Sequence, residues 1–395
     1  MSAKKRVPKL RFRGFSGEWD EEKLGYISNI TIGEFVIRTK QNPNTLYPVY
    51  NGGKSNTGFY NEFNNTGNKI IISARGANAG YVNFEKRNYW AGNSCYSISM
   101  IDEKIFFINY FYYFIKKYEY KFKDNQQSAN IPSVSKDDAE KFKVKFPKFK
   151  EQTKIGNYFQ NLDKLIEQKE KKYQKLGQLK KAILEKMFPK EGATTPEIRF
   201  KGFSGEWEEK GLDSISEQIS YGLTVRPKYI EVGIPLISAR ELKNGNINYN
   251  LAPKISIKSY NELSEKAKAR KGDIFLTKTG TVGLSAYVRE NFPIAITQNI
   301  AVIRVVNKQY NHQFILQTFK TQNFYKKSIS QVNQSTIMDL QLQDIRKLLI
   351  SFPNKQEQTK IANSLQKLDN LIDLQNQELQ KLKNIKKASL AKMFV

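Results

Sequence analysis

The chain has 395 residues, enough for two or three domains, and its 65 Lys and Arg against 38 Asp and Glu give a formal net charge of +27. Such a charge favours a polyanionic partner, most often nucleic acid, although a lysine-rich surface that is only solvated is the alternative. One cysteine, Cys95, excludes an intrachain disulfide and a cysteine-based zinc site. One histidine, His312, argues against a histidine-dependent triad or metal cluster. His312 is expected to be an ordinary surface residue.

The sequence predicts neither a secretory leader nor a membrane span. The N-terminal stretch lacks the apolar segment of a signal peptide. The most apolar run, residues 106–115, is too short and too interrupted to cross a bilayer. We therefore expect a cytoplasmic protein that does not contact a membrane.

A short tag opens the chain and occurs a second time. Residues 8–19 (PKLRFRGFSGEW) return as residues 196–207 (PEIRFKGFSGEW). Internal duplication of this kind determines the architecture before any other feature.

Two segments of different sequence follow the tags but share a weak pattern. Ile70–Gly76 parallels Ile274–Gly280, and each reads as a buried strand that delivers a polar residue and a glycine into a loop. Aromatic helices are predicted near residues 106–120 and 314–325, and their rings are expected to be core. Each segment is therefore predicted to be a compact α+β domain.

A lysine-rich amphipathic helix closes each domain. Residues 151–188 and 357–394 align without a gap at an offset of 206 residues, and Phe-Pro precedes each of them. Their apolar residues recur at heptad spacing, which predicts a coiled coil on the order of 57 Å long. The predicted seam residues are Leu162, Leu165, Leu176, Leu179, Leu368, Leu371, Leu382 and Ile385.

The two helices are predicted to pair antiparallel, in a register in which partner numbers sum to 547. This register places Lys169 opposite Glu378 and Lys172 opposite Gln375. Polar residues in a seam cost stability and determine register. The alternative is that these side chains extend outward and determine nothing.

These patterns divide the chain into a tag, a domain and a helix, each occurring twice. The predicted boundaries are 1–146 for the first domain with its tag, 147–188 for the central helix, 189–195 for a linker, 196–352 for the second domain with its tag, and 353–395 for the last helix.

No catalytic motif is found in the sequence. It contains neither a GxxxxGK[ST] phosphate loop nor a GxGxxG turn after a strand. Residues 42–45 (NPNT) weakly resemble the Asn-Pro-Pro-aromatic loop of amino-methyltransferases but lack its second proline and its aromatic residue. We expect a chain that is not an enzyme and holds no metal.

Basic and amide side chains on predicted loops could read base edges, since Arg and Lys bind guanine and Asn and Gln bind adenine in the major groove. For each residue, a phosphate contact or simple exposure is the alternative. The candidates are Arg38, Lys40, Asn51, Lys54, Arg75, Asn78 and Gln127 in the first domain, and Tyr221, Arg226, Arg240, Lys278, Thr279, Gln298 and Asn299 in the second.

The repeated tag and the repeated helix, which begins EQTKI, resemble the specificity subunit of a type I restriction–modification system over the whole chain. This resemblance implies two target-recognition domains that each read half of a bipartite site on double-stranded DNA. It also implies an antiparallel coiled coil that spaces the domains and docks two methyltransferase subunits, which restriction subunits join.

The resemblance further implies that the cofactors S-adenosylmethionine, ATP and magnesium belong to those partners and not to this chain. Two alternatives stay open. An enzyme would be a fused methyltransferase or nuclease, whose motifs we do not find. A coiled-coil scaffold or a basic chromosome-coating protein would bind DNA with steep salt dependence and little sequence preference.

Overall fold

The computed structural model describes residues 7–124, 132–243, 245–305, 307–331 and 338–395, and the chain divides into two compact units. The first unit comprises residues 1–171 and 377–395, and the second comprises residues 172–376. Each unit thus holds one tag, one α+β domain and part of both long helices, whereas the sequence-based division treats each helix as a separate segment.

The first half of the chain alternates short strands and helices before one long helix. Its strands are β1 (Asp20–Lys23), β2 (Ser28–Ile32), β3 (Tyr47–Tyr50), β4 (Gly58–Tyr60), β5 (Lys69–Ser73), β6 (Val82–Glu85), β7 (Trp90–Ala91), β8 (Cys95–Met100) and β9 (Lys143–Phe146). Its helices are α1 (Leu24–Ile27), α2 (Ile108–Tyr118), α3 (Tyr120–Asp124), α4 (Lys136–Lys141) and α5 (Phe149–Met187).

The second half repeats this order with additional strands. They are β10 (Glu208–Gly211), β11 (Gln218–Tyr221), β12 (Ile234–Ile237), β13 (Leu242–Lys243), β14 (Asn246–Ile247), β15 (Lys254–Ile255), β16 (Lys268–Ala269), β17 (Ile274–Thr277), β18 (Ser285–Tyr287), β19 (Ile294–Ile296), β20 (Ile300–Arg304) and β21 (Leu349–Phe352). The helices are α6 (Leu212–Ile215), α7 (Ile257–Asn261), α8 (His312–Phe319), α9 (Gln322–Ser330), α10 (Leu342–Lys347) and α11 (Lys355–Met393).

The central sheets of the two domains have the same topology. Their strand orders are β2-β8-β5-β6 and β11-β20-β17-β18, antiparallel throughout. The predicted correspondence between Ile70–Gly76 and Ile274–Gly280 is confirmed, since β5 and β17 are the third strand in the two strand orders. A second sheet accompanies each of them, β4-β3-β7 in the first domain and β15-β12-β19-β16 in the second.

The aromatic helices lie in the cores, as predicted. Tyr110 and Phe111 of α2 are fully buried in the first unit, and Phe314 of α8 is fully buried in the second. His312 differs from the expectation for a surface residue. It is half-buried as the first residue of α8, and burial lowers the pKa of its imidazole.

The helices α5 and α11 pack antiparallel within each unit. In the first unit, Tyr158 and Ser389 share a hydrogen bond of 3.0 Å and Lys386 pairs with Asp163. In the second unit, the repeat-related pair is Lys180 with Asp369. The expected α+β class, with two pseudo-symmetric domains and two long antiparallel helices, is confirmed.

The less exposed face of each helix follows steps of alternately four and three residues, the spacing of a coiled-coil seam. On α5 the seam residues are Ile155, Phe159, Leu162, Ile166, Lys169, Tyr173, Leu176, Lys180, Ile183 and Met187. On α11 they are Ile361, Leu365, Leu368, Ile372, Gln375, Leu379, Leu382, Lys386, Ser389 and Met393.

Four predicted seam residues lie beside this seam and not in it. Leu165, Leu179, Leu371 and Ile385 are between 38 and 47 % exposed. The predicted heptad phase is one residue too early at these four positions. Steps of four and three residues counted from Ile155 and Ile361 place the next residue in the seam each time, namely Ile166, Lys180, Ile372 and Lys386. Lysine can occupy two of these later positions because its stem packs while its ammonium reaches a carboxylate.

The polar pair near the middle of the helices forms in the first unit, where Lys169 donates to Glu378 at 2.5 Å. These residue numbers sum to 547. In the second unit, Lys172 is exposed, and its neighbour Tyr173 takes the seam position while Gln375 is buried.

Each tag connects the start of one helix to the end of the other. Arg11 donates two hydrogen bonds of 2.7 Å to buried Glu151 of α5, and the backbone N–H of Leu10 donates to Lys392 O at 2.9 Å. The second tag repeats this arrangement, with Arg199 on Glu357 and Ile198 N on Lys186 O. The tag thus ties both helices to each domain.

Candidate nucleic-acid interface

In the first domain, four segments pack side by side where the sheets end. We call residues 33–36, 51–57, 74–80 and 91–94 the first loop layer. Glycines permit the close approach, because a Cβ on Gly33 would lie 2.2 Å from Ala91 O and one on Gly52 would lie 2.9 Å from Arg75 O. The Gly52 N–H also donates to Cys95 Sγ at 3.0 Å, and burial raises the pKa of that thiol to about 11.

Four predicted base readers lie on the first loop layer. Lys54 and Arg75 are exposed, and Asn51 and Asn78 are half-buried. Asn51 Oδ1 accepts a 3.3 Å hydrogen bond from Ser94 N, which joins two segments of the layer.

The other predicted readers of the first domain lie elsewhere. Arg38 and Lys40 are exposed on an adjacent 3₁₀ turn, where Lys40 pairs with Glu62 at 3.4 Å. A solvent-exposed pair of this kind contributes little to stability. Gln127 lies outside the described residues.

The second domain builds an equivalent arrangement from different side chains. The second loop layer consists of residues 222–226, 238–240, 278–284 and 297–299. Backbone hydrogen bonds hold it together, from Leu223 N to Ile296 O, from Lys278 N to Asn299 O and from Thr297 N to Ile237 O, each 2.9 Å long. Gly222 permits the contact, since a Cβ there would lie 1.9 Å from Ile296 O.

The predicted readers of the second domain lie on this layer or directly beside it. Tyr221, Arg226, Arg240 and Gln298 are exposed, whereas Thr279 and Asn299 are half-buried. The Arg226 guanidinium lies 5.2 Å from the centre of the Tyr229 ring, a cation–π distance that orders its planar donor group.

Lys278 is less available than the sequence suggested. Its side chain is 11 % exposed, and its ammonium donates to Asp339 at 2.8 Å, while Thr279 donates to the same carboxylate at 2.5 Å. Burial would raise the pKa of Asp339, but these donors outweigh it and hold the pKa below its usual value. Lys278 is therefore neutralised before any ligand arrives.

Sequence reasoning missed Ser94 and Phe35 as parts of the first layer and Asp339 as a contact of the second. Asp339 lies 61 residues from Lys278 along the chain, and Ser94 acts through its backbone N–H. Phe35 is strongly exposed on the first layer, which its residue type does not predict.

The described residues offer neither a metal-binding cluster nor a membrane-spanning helix. Within those residues, no group of three or more His, Cys, Asp and Glu side chains could hold a metal ion. No helix within those ranges has the length and apolar character needed to cross a membrane.

The sequence matches the family described as the type I restriction modification DNA specificity domain twice, over residues 16–178 and 205–384. The type I restriction enzyme MjaVIII specificity subunit of Methanocaldococcus jannaschii is 22 % identical over 337 residues, which cover 81 % of this chain and 76 % of that protein. The EcoBI specificity subunit of Escherichia coli is 26 % identical over 200 residues, or 48 % of this chain and 41 % of that protein.

Solved structures share the fold. The crystal structure of the type I restriction-modification system S subunit from M. genitalium has a TM-score of 0.74 at 18 % identity, over 98 % of this chain and 99 % of that one. A second solved chain has a TM-score of 0.54 at 14 % identity, over 95 % of this chain and 97 % of that one. Its structure is described as the structural basis of complex assembly and conformational transition of the type I R-M system.

Proposed function

Because the chain belongs to the type I restriction–modification DNA specificity family, we propose that it selects the DNA sequence for such a system, with each domain reading one half of a bipartite, asymmetric site. It is the recognition component and not the catalyst. Its ligand is double-stranded DNA, towards which a net charge of +27 is attractive.

The observation that carries this proposal is the pair of loop layers. The two layers lie at the ends of corresponding strands in two sheets of the same topology. The first layer adjoins β5 and β8, and the second adjoins their counterparts β17 and β20. Their exposed side chains nevertheless differ, with Lys54 and Arg75 in one and Arg226 and Gln298 in the other. Equivalent scaffolds with different donors suit two different half-sites.

We further propose that the long helices set the gap between the half-sites. Each helix has 39 residues, so its length is about 58 Å. A helix of constant length gives a constant separation, and DNA readers related by twofold symmetry commonly bind about 34–36 Å apart, near one helical turn.

The same helices are proposed to dock two methyltransferase subunits. The exposed apolar residues beside the seam support this role, because each unit carries them on both helices. Leu165 and Ile385 lie in the first unit, and their repeat counterparts Leu371 and Leu179 lie in the second, where Leu374 is a further exposed residue. Apolar rows on a helix surface suit a partner helix. Two equivalent rows suit two copies of one partner.

Restriction subunits are proposed to join this assembly through the methyltransferases. The partners would supply the chemistry and hold its cofactors, S-adenosylmethionine, ATP and magnesium. The residues of this chain that take part in the reaction are therefore those that bind DNA and those that bind the partners.

A genome-wide methylation map tests the proposal. Cells carrying this gene and its neighbouring methyltransferase gene should show a bipartite, asymmetric methylated motif that disappears when this gene alone is deleted. A purified assembly that binds every duplex equally, with steep salt dependence, would instead identify a basic scaffold.

A further inference from the structure

The first loop layer carries a large apolar side chain that the packing of the domain does not use. Phe35 is 73 % exposed although both of its chain neighbours are held in place. Glu34 N donates to Ala91 O at 2.9 Å, and Val36 is buried with Val49 and Tyr60. The backbone on either side therefore keeps the ring in solvent, where an aromatic side chain gains nothing for stability.

The surroundings of Phe35 are those of a DNA-binding surface. Gly92 pairs with Glu34, and a Cβ on Gly92 would lie 2.4 Å from Asn51 Oδ1, so the turn with Phe35 and the segment with Asn51 and Lys54 both pack against Gly92. Arg75 follows on the next segment, and Lys54 and Arg75 are exposed. Cationic and amide groups suit phosphates and base edges.

An exposed phenyl ring among such groups matches the apolar feature that the major groove offers, the 5-methyl group of thymine. We propose that Phe35 contacts a thymine methyl group in the first half-site and so selects an A·T pair at one position. The second layer also carries an exposed apolar side chain, since Val225 is 77 % exposed beside Arg226. This inference rests on the proposed function and adds a specificity-determining residue to it.

The test removes the thymine methyl group and the phenyl ring of Phe35 in turn. The full chain, assembled with its methyltransferase subunits, is titrated with a duplex carrying the motif from the methylation map. Further duplexes replace each thymine of the first half-site by deoxyuridine, which removes only the methyl group. Wild type should lose about fourfold in affinity at one position, the effect of exposing one methyl group. Phe35→Ala should bind the thymine duplex about as weakly and lose nothing further at that position.

Tyr26→Ala is the matched control. Tyr26 is also strongly exposed, at 66 %, but it lies on α1 at the other end of strand β2. This variant should keep the wild-type sensitivity to deoxyuridine. Phe35→Leu, which keeps an apolar side chain, should retain part of that sensitivity, and equal unfolding temperatures would show that all variants are folded.

Two results would overturn the inference. One is equal loss of affinity by Phe35→Ala for thymine and deoxyuridine duplexes at every position, which would make the ring a general contact. The other is loss of methyltransferase assembly without any change in base preference, which would place Phe35 in a protein interface. Failure of the proposed function is distinct, because the wild-type assembly would then not distinguish the motif from a scrambled duplex.

Discussion

At the scale of single residues, basic side chains on a loop layer can read bases or neutralise phosphates. Arg75 is the best candidate reader in the first domain, because Gly76 N donates to Pro132 O at 3.0 Å and thus holds the adjoining backbone. Lys54 is exposed on a turn of the same layer, and lysine carries its charge on a flexible four-carbon stem. An ordered guanidinium suits a bidentate base contact, whereas a mobile ammonium suits a phosphate.

We predict that Arg75→Ala costs about 1–3 kcal/mol of binding free energy and relaxes base preference at one position. Lys54→Ala should weaken binding to all sequences about equally and reduce the slope of log K against log salt by about 1. Titration of a panel of single-base variants at two or more salt concentrations measures both effects. A uniform loss from Arg75→Ala would mean that it contacts phosphate.

Asp369 of α11 is one of the carboxylates that make the stability of the fold depend on pH. It accepts from Gln317 at 3.1 Å and Lys320 at 3.3 Å and pairs with Lys180. Burial alone would raise its pKa, but these donors outweigh burial and hold the pKa below the usual 3.8. Burial and nearby Lys180 lower the pKa of Lys320 despite Asp369. Protonation of Asp369 in acid therefore removes part of the stability of the fold.

A carboxyl group with a depressed pKa stabilises the fold fully above its unfolded pKa, and this stabilisation is lost as pH falls through the folded pKa. We therefore predict that Asp369→Asn lowers the free energy of unfolding at pH 7 and that the difference from wild type shrinks below about pH 4. Urea unfolding from pH 3 to 7 measures it, with the exposed Glu262→Gln as control. A difference that stays constant across this range would contradict the assignment.

At the scale of elements, the phase of the seam separates packing from docking. Ile166 is half-buried in the seam, and its neighbour Leu165 is 38 % exposed beside it. Ile166→Ala should therefore cost about 1–2 kcal/mol, less than a fully buried truncation. Leu165→Ala should cost about 0.5 kcal/mol or less.

If the exposed apolar residues beside the seam dock the methyltransferase, the ranking of these two variants should be reversed when assembly is measured and not stability. Leu165→Ala should then weaken binding of the methyltransferase more than Ile166→Ala does. Thermal unfolding of the free chain and titration with purified methyltransferase give the two rankings. Identical rankings in both measurements would contradict a docking role for Leu165.

The Lys169–Glu378 contact tests the register of the helix pair. Both side chains are partly exposed, so the pair should contribute no more than about 1 kcal/mol. We predict that Lys169→Glu lowers stability and that adding Glu378→Lys restores it, because the reversed pair can form the same contact. A double-mutant cycle on denaturant unfolding measures the coupling, and lack of rescue would contradict the register.

At the scale of the whole molecule, the proposed ruler can be shortened without altering either reader. Removing residues 169–175 and 375–381 deletes one heptad from each helix and keeps the seam phase. Each helix becomes about 10 Å shorter, which corresponds to about three base pairs. The methylation map should show the same half-sites with a smaller gap.

An unchanged gap in this variant would contradict the ruler. A deletion of four residues from each helix is the control, because it breaks the heptad phase. That control should abolish methylation of the motif and not shift its gap.

The sequence by itself determined the architecture, because the features that specify it are local or repeated. Heptad spacing without an internal proline predicts the two long helices, whose ends lie within two residues of the predicted ones. The tag and helix repeats predict two related units. Short apolar runs before glycine locate strands such as β5 and β17.

Only the tertiary structure decided which side chains these elements present. Leu165 and Ile166 are adjacent apolar residues, and the heptad pattern of the sequence is compatible with either of them in the seam. The structure places Ile166 there and leaves Leu165 exposed beside it. The pairing of Lys278 with Asp339 and the exposure of Phe35 depend on segments far apart in the chain. Periodicity reports the neighbours of a residue along one element, whereas burial and charge pairing depend on which other elements pack against it.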